Sequence, residues 1–302
     1  MLHPFRSSAR AAVLASLVAT FAAPALAEDV TIATARGEAT VPATTNVAAF
    51  DIAAIDTMQA LGVTPAGVPD TLYVDYLSDV AGSATNVGTL FEPDLEALAG
   101  MAPELIVIGG RSAAQYDAVA ALAPTIDMTI SADLVADARA RIAAYGTLFD
   151  KEAEAEALVA SLDAEIAATT ASAAGKGTAL ILLTNGPKIS AYGKGSRFGW
   201  IHDALGLPEA HPNLDPQTHG DAVSFEFIAE VNPDWLIVVD RASAIGEPAS
   251  AEATLDNPLV AETTAWKNGQ VIYLPAAPVY IAGGGYSSLM TTLGTLRAGF
   301  GG

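Results

Sequence analysis

The sequence of 302 residues contains no cysteine, and its 34 acidic residues face only 14 basic ones. Without cysteine there can be no disulfide, no thiolate-bound zinc or iron–sulfur site, no cysteine nucleophile and no lipid anchor on cysteine. The formal charge of −20 excludes nucleic acid and anionic membranes as expected partners, because both require basic patches. Apolar residues still make up 51%, which is typical of a globular protein of one large domain or two lobes.

The start of the chain has the three parts of a secretory signal. Two arginines lie in the first ten residues, an apolar run covers 11–23, and an Ala-Leu-Ala cleavage site ends at Ala27. The run is shorter than the ~20 residues that a membrane-spanning helix needs, and no later run is longer. We therefore expect a cleavable signal peptide at 1–27 and a periplasmic protein without a lipid anchor; the alternative is a buried N-terminal helix.

Strand and helix patterns alternate along the rest of the chain. Residues 30–41 predict a β-hairpin, and apolar residues at helical spacing follow over 50–62. Short apolar runs predict buried parallel strands at Leu105–Ile108, Ala179–Leu183, Leu236–Val239 and Val271–Leu274. This alternation predicts an α/β fold.

A long helix is predicted near the middle of the chain, over residues 150–174. Asp150 is expected to cap it, and glutamates follow in its first turns, where the helix dipole favours negative charge. Apolar residues at helical spacing form one face: Ala155, Leu158, Val159, Leu162 and Ile166. The segment is either an ordinary surface helix or a rigid connection between two lobes.

Two segments of the chain, 95–111 and 225–241, align without a gap at an offset of 130 residues. Each contains a helix with a glutamate in its first turn, a Pro-acid turn, an apolar strand and a terminal arginine. This internal repeat predicts a duplication that gives two lobes.

The repeat places Arg111 and Arg241 at the carboxyl ends of matching strands, where open α/β sheets bind their ligands. Two arginines at such positions in an acidic protein indicate an anionic ligand, although each arginine could instead cap a helix or pair with a carboxylate. The matched Glu96 and Glu226 could dock on a partner's arginines or simply complement the dipoles of their helices.

The signature Phe-Asp-Ile-Ala-Ala-Ile-Asp-Thr-Met-Gln-Ala-Leu-Gly-Val at 50–63, together with 95–111 and its Ile-Gly-Gly-Arg end, resembles the periplasmic ferric-siderophore-binding proteins of ABC transporters. The resemblance covers the chain after residue 27. It implies the class III architecture of periplasmic binding proteins, with two α/β lobes of mainly parallel sheets. The lobes are expected at 28–149 and 175–302, with the helix at 150–174 between them.

The resemblance also implies a function. Such proteins are not enzymes, have no cofactor of their own, and carry ferric iron in the siderophore to an inner-membrane permease and its ATPase. Glu96 and Glu226 look like the residues that dock on this permease. A monomer is expected.

A narrower resemblance is to the branch that binds catecholate siderophores. Arg111, Arg197 and Arg241 are similar to three arginines that line the cleft, while His219 and Tyr280 look like residues that complete the coordination of the iron. Ferric iron prefers hard oxygen donors such as phenolate and also binds imidazole. Its catecholate complexes are anionic and flat, which suits the planar, permanently charged guanidinium group.

Other interpretations remain open. The same architecture could bind haem, cobalamin or a hydroxamate siderophore. These ligands have less need for three arginines in the cleft. A periplasmic α/β enzyme is disfavoured because Gly-x-Ser-x-Gly and His-Glu-x-x-His motifs are absent from the sequence. A zinc site would have to use His202, His211 and His219, although we expect His202 to pack in a helix and His211 to be exposed. His219 could likewise be a solvent-exposed loop residue, and Tyr280 could simply pack.

Overall fold

The computed structural model describes residues 29–216, 219–248 and 250–301, so the predicted signal peptide at 1–27 lies outside the described residues. The strands are β1 Asp29–Thr34, β2 Gly37–Pro42, β3 Val47–Ala49, β4 Gly67–Val68, β5 Thr85–Asn86, β6 Leu105–Ile108, β7 Thr125–Asp127, β8 Ala179–Asn185, β9 Lys188–Tyr192, β10 Asp221–Ala222, β11 Trp235–Asp240 and β12 Val271–Tyr273. The helices are α1 Ile52–Ala60, α2 Ser78–Ser83, α3 Leu95–Met101, α4 Tyr116–Ala120, α5 Leu134–Phe149, α6 Glu152–Ala173, α7 Trp200–Leu205, α8 Phe225–Val231, α9 Arg241–Ala244, α10 Ala251–Leu255, α11 Pro258–Ala261, α12 Thr264–Lys267, α13 Ala276–Tyr280 and α14 Tyr286–Gly299.

Two five-stranded sheets form the centres of two α/β lobes. The first has the order β5-β4-β3-β6-β7, and all its neighbours are parallel. The second has the order β10-β9-β8-β11-β12, in which β8, β11 and β12 are parallel while β9 and β10 run antiparallel to their neighbours. The β1–β2 hairpin is separate. The predicted fold class, two α/β lobes with mainly parallel sheets and one long helix, is confirmed.

The sequence repeat corresponds to matching elements of the two lobes. Helices α3 and α8 start and end at positions one repeat apart, and each is followed by the strand next to the centre of its sheet, β6 or β11. Both helices end in a left-handed residue, Ala102 with φ of 49° and Asn232 with φ of 45°. Such a C-terminal residue turns the chain sharply towards the strand that follows.

The long helix α6 begins later than predicted, and its predicted cap is wrong. Asp150 has a left-handed conformation, with φ of 56°, and ends the preceding helix α5. Lys151 therefore stands at the N-terminal cap of α6, without a side-chain hydrogen bond, and Glu152 and Glu154 supply the negative charge of the first turn. The predicted apolar face does pack on the protein, because Ala155 and Leu162 on it are buried.

The largest cluster of the hydrophobic core spans both lobes, and each lobe also has a smaller cluster of its own. The main cluster of buried residues includes Val47 and Leu105 from the first sheet, Ile181 and Ile237 from the second, and Leu293 of α14. Helix α14 packs on both α6 and α1. Within the described ranges, no helix has the length and apolar character needed to cross a membrane.

A buried carboxylate fixes the start of α14 to the first lobe. Asp56 of α1 accepts hydrogen bonds from the backbone N–H groups of Ser287 at 2.8 Å and Ser288 at 2.9 Å, and from the Tyr76 hydroxyl at 2.9 Å. Burial raises the pKa of Asp56, although these hydrogen bonds act in the opposite direction. The last helix is therefore anchored in both lobes.

Candidate functional site

A cavity of about 510 Å³ is lined by residues of both lobes. Residues that follow β6 and β7, among them Arg111 and Thr129, form one wall. Arg197, Phe198 and Tyr280 of the second lobe form the other wall. The cavity thus lies at the carboxyl ends of parallel strands, where α/β sheets bind ligands.

Arg111 crosses from the first lobe to the second. Its guanidinium group donates to the backbone carbonyl of Tyr280 at 2.6 Å and to that of Ile281 at 3.1 Å. Burial lowers the pKa of Arg111, and the neighbouring charge of Arg197 lowers it further. Arg111 is therefore held across the cavity by backbone oxygens rather than by a carboxylate.

Arg197 binds the same point from the second lobe. Its guanidinium group also donates to the Tyr280 carbonyl and lies 4.3 Å from the centre of the Tyr280 ring. The turn that presents Arg197 is tightly folded, since the buried Ser196 hydroxyl donates to the Gly193 carbonyl at 2.5 Å. A side chain at Gly199 would overlap that same carbonyl, so glycine is required there.

Arg241 approaches Tyr280 from its hydroxyl end. It follows β11 directly, and its Nε donates to the Tyr280 hydroxyl at 3.1 Å while Nη1 donates to the Asn185 side chain at 2.9 Å. The guanidinium group lies 5.9 Å from the centre of the tyrosine ring. The alternative that this arginine pairs with a carboxylate is not what the structure shows.

Tyr280 is consequently surrounded by positive charge, because Arg111, Arg197 and Arg241 all lie within cation–π range of its ring. Burial by itself would raise the pKa of the Tyr280 hydroxyl. The hydrogen bond from Arg241, together with the charges of Arg197 and Arg241, outweighs burial and lowers this pKa below its ordinary value. The phenolate, which is the form that binds hard metal ions, therefore forms more easily here than in a free tyrosine.

The histidines do not join this group. His219 is exposed in a turn, its carbonyl accepts a hydrogen bond from Tyr192, and among the described residues it is Pro216, not His219, that lines the cavity. His202 is buried in α7, where its Nδ1 bonds to the Leu207 carbonyl at 2.9 Å and burial lowers its pKa. His211 is exposed beside Phe227.

The structure also bears on the zinc alternative. Within the described part of the chain, no three His, Asp or Glu side chains come together in a group that could hold a metal ion. The positions of His202 and His211, buried in a helix and exposed in a loop, agree with the sequence expectation. Iron ligation by His219 stays a prediction.

Glu96 and Glu226 occupy equivalent positions outside the cavity. Each is exposed in the first turn of its helix, α3 or α8, behind a capping residue, Asp94 or Ser224. Hydrogen bonds to its own backbone and to Ser224 lower the pKa of Glu226, which keeps it ionised. The exposed Leu95 lies next to Glu96 in the chain. A role in docking stays a prediction.

Several groups at the site were missed by the sequence reasoning. Asn185 contacts Arg241, and the carbonyls of Tyr280 and Ile281 hold the other two arginines. Asp51 also lines the cavity. The only signal for Asp51 was its place before an apolar helix, which indicates a cap and not a ligand contact.

Comparison with known proteins gives one consistent group of relatives. Residues 47–278 match the family described as periplasmic binding protein. The chain is 37% identical over 259 residues to the petrobactin-binding protein YclQ of Bacillus subtilis, covering 84% of this chain and 81% of that protein. It is 30% identical over 268 residues to the ferric-anguibactin-binding protein FatB of Vibrio anguillarum, covering 84% and 82%.

Solved structures agree with the sequence matches. The crystal structure of YclQ superposes with a TM-score of 0.86 at 34% identity and covers 90% of this chain and 99% of that one. The periplasmic catecholate-siderophore-binding protein VctP from Vibrio cholerae superposes with a TM-score of 0.84 at 31% identity, covering 90% and 100%.

Proposed function

This chain belongs to the periplasmic binding protein family, and we propose that it captures an anionic ferric siderophore, of the catecholate type, for delivery to an inner-membrane ABC permease. The observation that carries the proposal is the group of three arginines around Tyr280. Arg111, Arg197 and Tyr280 line the cavity between the two lobes, whereas Arg241 contacts the Tyr280 hydroxyl without lining the cavity itself. The relatives named for ferric or catecholate siderophores support it. Those relatives are binding proteins, and we propose that this chain likewise catalyses no reaction.

The chemistry of the cavity fits such a ligand. A catecholate spreads negative charge over oxygens and a flat ring, and a guanidinium group can both stack on the ring and donate to its oxygens. Arg111 and Arg197 already point their donors at the Tyr280 carbonyl, an oxygen acceptor inside the site. Ligand oxygens could replace this carbonyl as the acceptors. Because the donors already point into the site, the arginines would need little reorganisation.

Tyr280 would serve as a direct ligand of the iron. Two catecholates fill four of the six positions of an octahedral ferric ion, and a phenolate from Tyr280 would fill a fifth. Its lowered pKa reduces the cost of losing the phenolic proton. We propose His219 for the sixth position, because its loop borders the cavity at Pro216.

The remaining parts of the proposal concern the protein's setting. We propose that the predicted signal at 1–27 exports the chain to the periplasm without a lipid anchor, and the description of the family as periplasmic supports this location. The iron is cargo, and the protein is proposed to act as a monomer without a cofactor of its own. Glu96 and Glu226 would dock on the permease, one from each lobe, with its ATPase on the far side of the membrane.

The first experiment is a titration of tryptophan fluorescence with a ferric bis-catecholate, run beside the iron-free ligand and a ferric hydroxamate. We expect tight binding of the ferric catecholate alone. Arg111→Ala and Arg241→Ala should each weaken it about tenfold or more, the value of a lost charge-assisted hydrogen bond. Arg139→Ala removes an exposed arginine that pairs with Asp163 and serves as the control.

The possible outcomes separate the ligand classes. Equal binding of the hydroxamate, or unchanged affinity in both Arg111→Ala and Arg241→Ala, would refute the catecholate assignment. Haem and cobalamin would then be the next ligands to titrate.

Docking is tested separately from binding. Glu96→Ala combined with Glu226→Ala should leave ligand affinity unchanged and slow uptake through the reconstituted permease, because both side chains are exposed away from the cavity. The matched control removes two exposed glutamates of α6 with Glu152→Ala and Glu156→Ala. Loss of ligand binding in the first pair, or equal slowing by the control pair, would contradict the docking assignment.

A further inference from the structure

The outer strand of the second sheet, β12, has an open edge. Among the described strands it pairs only with β11, and its register makes the backbone of Ile272 face β11 while the backbones of Val271 and Tyr273 face outward. No described residue forms a hydrogen bond with these outward N–H and C=O groups. Unpaired groups on a sheet edge are the place where a further chain can form main-chain hydrogen bonds.

The corresponding edge of the first sheet is covered. Strand β7 has the place in the first sheet that β12 has in the second, and its outward residues are Thr125 and Asp127. The carbonyl of Asp127 accepts a hydrogen bond from the backbone N–H of Ala35 at 2.8 Å, and that of Thr125 accepts one from the Tyr116 hydroxyl at 3.3 Å. The turn of the β1–β2 hairpin thus covers in the first lobe an edge that is open in the second.

The covering turn also carries an arginine. The guanidinium group of Arg36 lies 3.8 Å from the centre of the Tyr116 ring, and its Nε lies 3.4 Å from Oδ2 of Asp127. A single segment therefore supplies a backbone donor to the strand edge and a cation to an aromatic ring and a carboxylate. The first lobe thus shows which chemistry fits this kind of edge.

A cavity of about 350 Å³ beside the open edge of β12 contains the same kinds of groups. It is lined by two aromatic residues, two carboxylates and two smaller residues: Trp266, Tyr273, Glu252, Asp256, Gly269 and Val271. Both carboxylates are exposed, and neither forms a salt bridge within the described residues. Burial raises the pKa of the Tyr273 hydroxyl, and the charge of Glu252 raises it further, so this carboxylate acts on the ring beside it.

We propose that the edge of β12 and this cavity bind an extended, arginine-bearing segment of another protein. The backbone of the segment would donate to the outward carbonyls of Val271 and Tyr273. Its guanidinium group would lie against the aromatic rings and between the Glu252 and Asp256 carboxylates. Main-chain hydrogen bonds would supply affinity, and the cavity would supply specificity. This inference does not depend on the ligand held between the lobes.

The charges of the chain favour a different protein over a second copy as the occupant. Two copies joined along β12 would bring their Glu252 and Asp256 carboxylates together, and like charges facing each other across paired strands are destabilising. Arg36 of each copy already lies on Tyr116 of its own first lobe. The formal charge of −20 likewise attracts basic segments.

The test uses a short peptide of alternating valine and threonine with one central arginine. It is compared with a copy that has citrulline in place of arginine and with a copy whose backbone amides are N-methylated. Isothermal titration calorimetry measures the binding of each peptide to the protein. We expect the arginine peptide to bind about tenfold more tightly than the citrulline peptide, and the N-methylated peptide not to bind.

Three variants locate the binding site. Glu252→Gln combined with Asp256→Asn should weaken the arginine peptide about tenfold and leave the citrulline peptide unchanged. The matched control, Glu152→Gln with Glu156→Gln, changes two exposed acids at the same spacing on α6 and should affect neither peptide. Val271→Pro removes an outward N–H without breaking the ladder to β11, so it should weaken both peptides. Circular dichroism establishes that each variant is folded.

Several results would overturn the inference. These are equal affinity for the arginine and citrulline peptides, binding of neither, and full binding of the N-methylated peptide. Arginine amide that binds as tightly as the peptide would show that the cavity holds a small cation instead. A dimer in sedimentation that is lost in Val271→Pro would assign the edge to a second copy of the chain. The titrations with ferric complexes test the proposed function independently of all these results.

Discussion

Tyr280 contributes to the cavity through its backbone as well as its ring. Its carbonyl accepts from Arg111 and Arg197, and its hydroxyl accepts from Arg241. A single residue therefore orders three arginine side chains before any ligand arrives. Each arginine would otherwise lose about 2 kcal/mol of side-chain entropy on binding, and this ordering removes part of that loss.

The Tyr280 hydroxyl should make the affinity for the ligand depend on pH. Its pKa is lowered, so the phenolate forms more easily than in a free tyrosine. In the proposed site, coordination of iron would still release the phenolic proton at neutral pH. Affinity for the ferric catecholate should therefore rise with pH, by at most about tenfold per unit, until the pH reaches the pKa of Tyr280. Titrations between about pH 6 and 9 measure this.

Tyr280→Phe should abolish this pH dependence together with the phenolate-to-iron absorption band. Tyr116→Phe is the control, because the Tyr116 hydroxyl donates to the Thr125 carbonyl and Tyr116 does not line the cavity. An unchanged slope and an unchanged band in Tyr280→Phe would mean that the phenol does not coordinate the iron.

The residues that surround Tyr280 had different signals in the sequence, and Arg197 and Tyr280 themselves were predicted from the resemblance alone. Arg111 and Arg241 follow strands at matching positions of a repeat, and that spacing is readable in the sequence. The carbonyls of Tyr280 and Ile281 belong to the backbone, whose placement depends on the packing of distant segments. The loop that contains His219 has no such register, so its distance from Tyr280 could not be predicted.

At the scale of elements, the repeat is a structural unit of helix, left-handed turn and strand. The turn residue differs between the lobes: it is Ala102 in the first and Asn232 in the second. Asparagine tolerates the left-handed region better than alanine, because its short polar side chain can bond locally. Asn232 additionally accepts a hydrogen bond from the backbone of Thr264 at 2.7 Å.

This difference predicts opposite effects of exchanging the two residues. Ala102→Asn or Ala102→Gly should raise the free energy of unfolding by about 1 kcal/mol, because it relieves the left-handed alanine. Asn232→Ala should lower it by about 1–3 kcal/mol, because it introduces the strain and removes a hydrogen bond. Urea denaturation measures both. Ala99→Asn, an exposed helical position, should instead destabilise slightly; stabilisation there would show that the turn is irrelevant.

The elements themselves could largely be predicted from periodicity. The strand at Leu105–Ile108 has its predicted limits, and the three later strands begin or end within a few residues of theirs. The start of α6 was mistaken, since Asp150 is an ordinary capping residue in the sequence and only its left-handed backbone assigns it to α5. Very short strands such as β4 and β5 have no periodicity to detect.

At the scale of the whole molecule, the two lobes are joined by a common part of their hydrophobic core. Their main core is continuous, and Asp56 binds the start of α14 to α1. The sequence could not reveal this contact, because Asp56 and Ser288 are more than two hundred residues apart. It also means that part of the predicted second lobe, 175–302, packs against the first.

The shared core predicts a single cooperative unfolding transition. All the tryptophans, Trp200, Trp235 and Trp266, lie in the second half of the chain, whereas circular dichroism reports on both lobes. The two signals should give the same urea midpoint. Separate midpoints would show that the lobes unfold independently.

Asp56→Ala tests the anchor of α14 directly. It leaves the N–H groups of Ser287 and Ser288 and the Tyr76 hydroxyl without their acceptor, so the free energy of unfolding should fall by about 3 kcal/mol or more. Asp94→Ala removes an exposed cap and should cost only about 1 kcal/mol. Equal effects of the two changes would mean that the buried carboxylate does not hold the lobes together.

The attachment of α14 to both lobes affects how the empty and the loaded protein would compete for the permease. Because α6, α14 and Asp56 connect the lobes, we expect the protein to change its shape little on binding a ligand. If the proposed permease is its partner, the empty and the loaded protein would then present nearly the same surface to it. The empty protein would then compete with the loaded protein for the same binding sites on the permease. In a cell that makes more of this protein than its ligand can fill, the surplus would slow the entry of iron rather than hasten it.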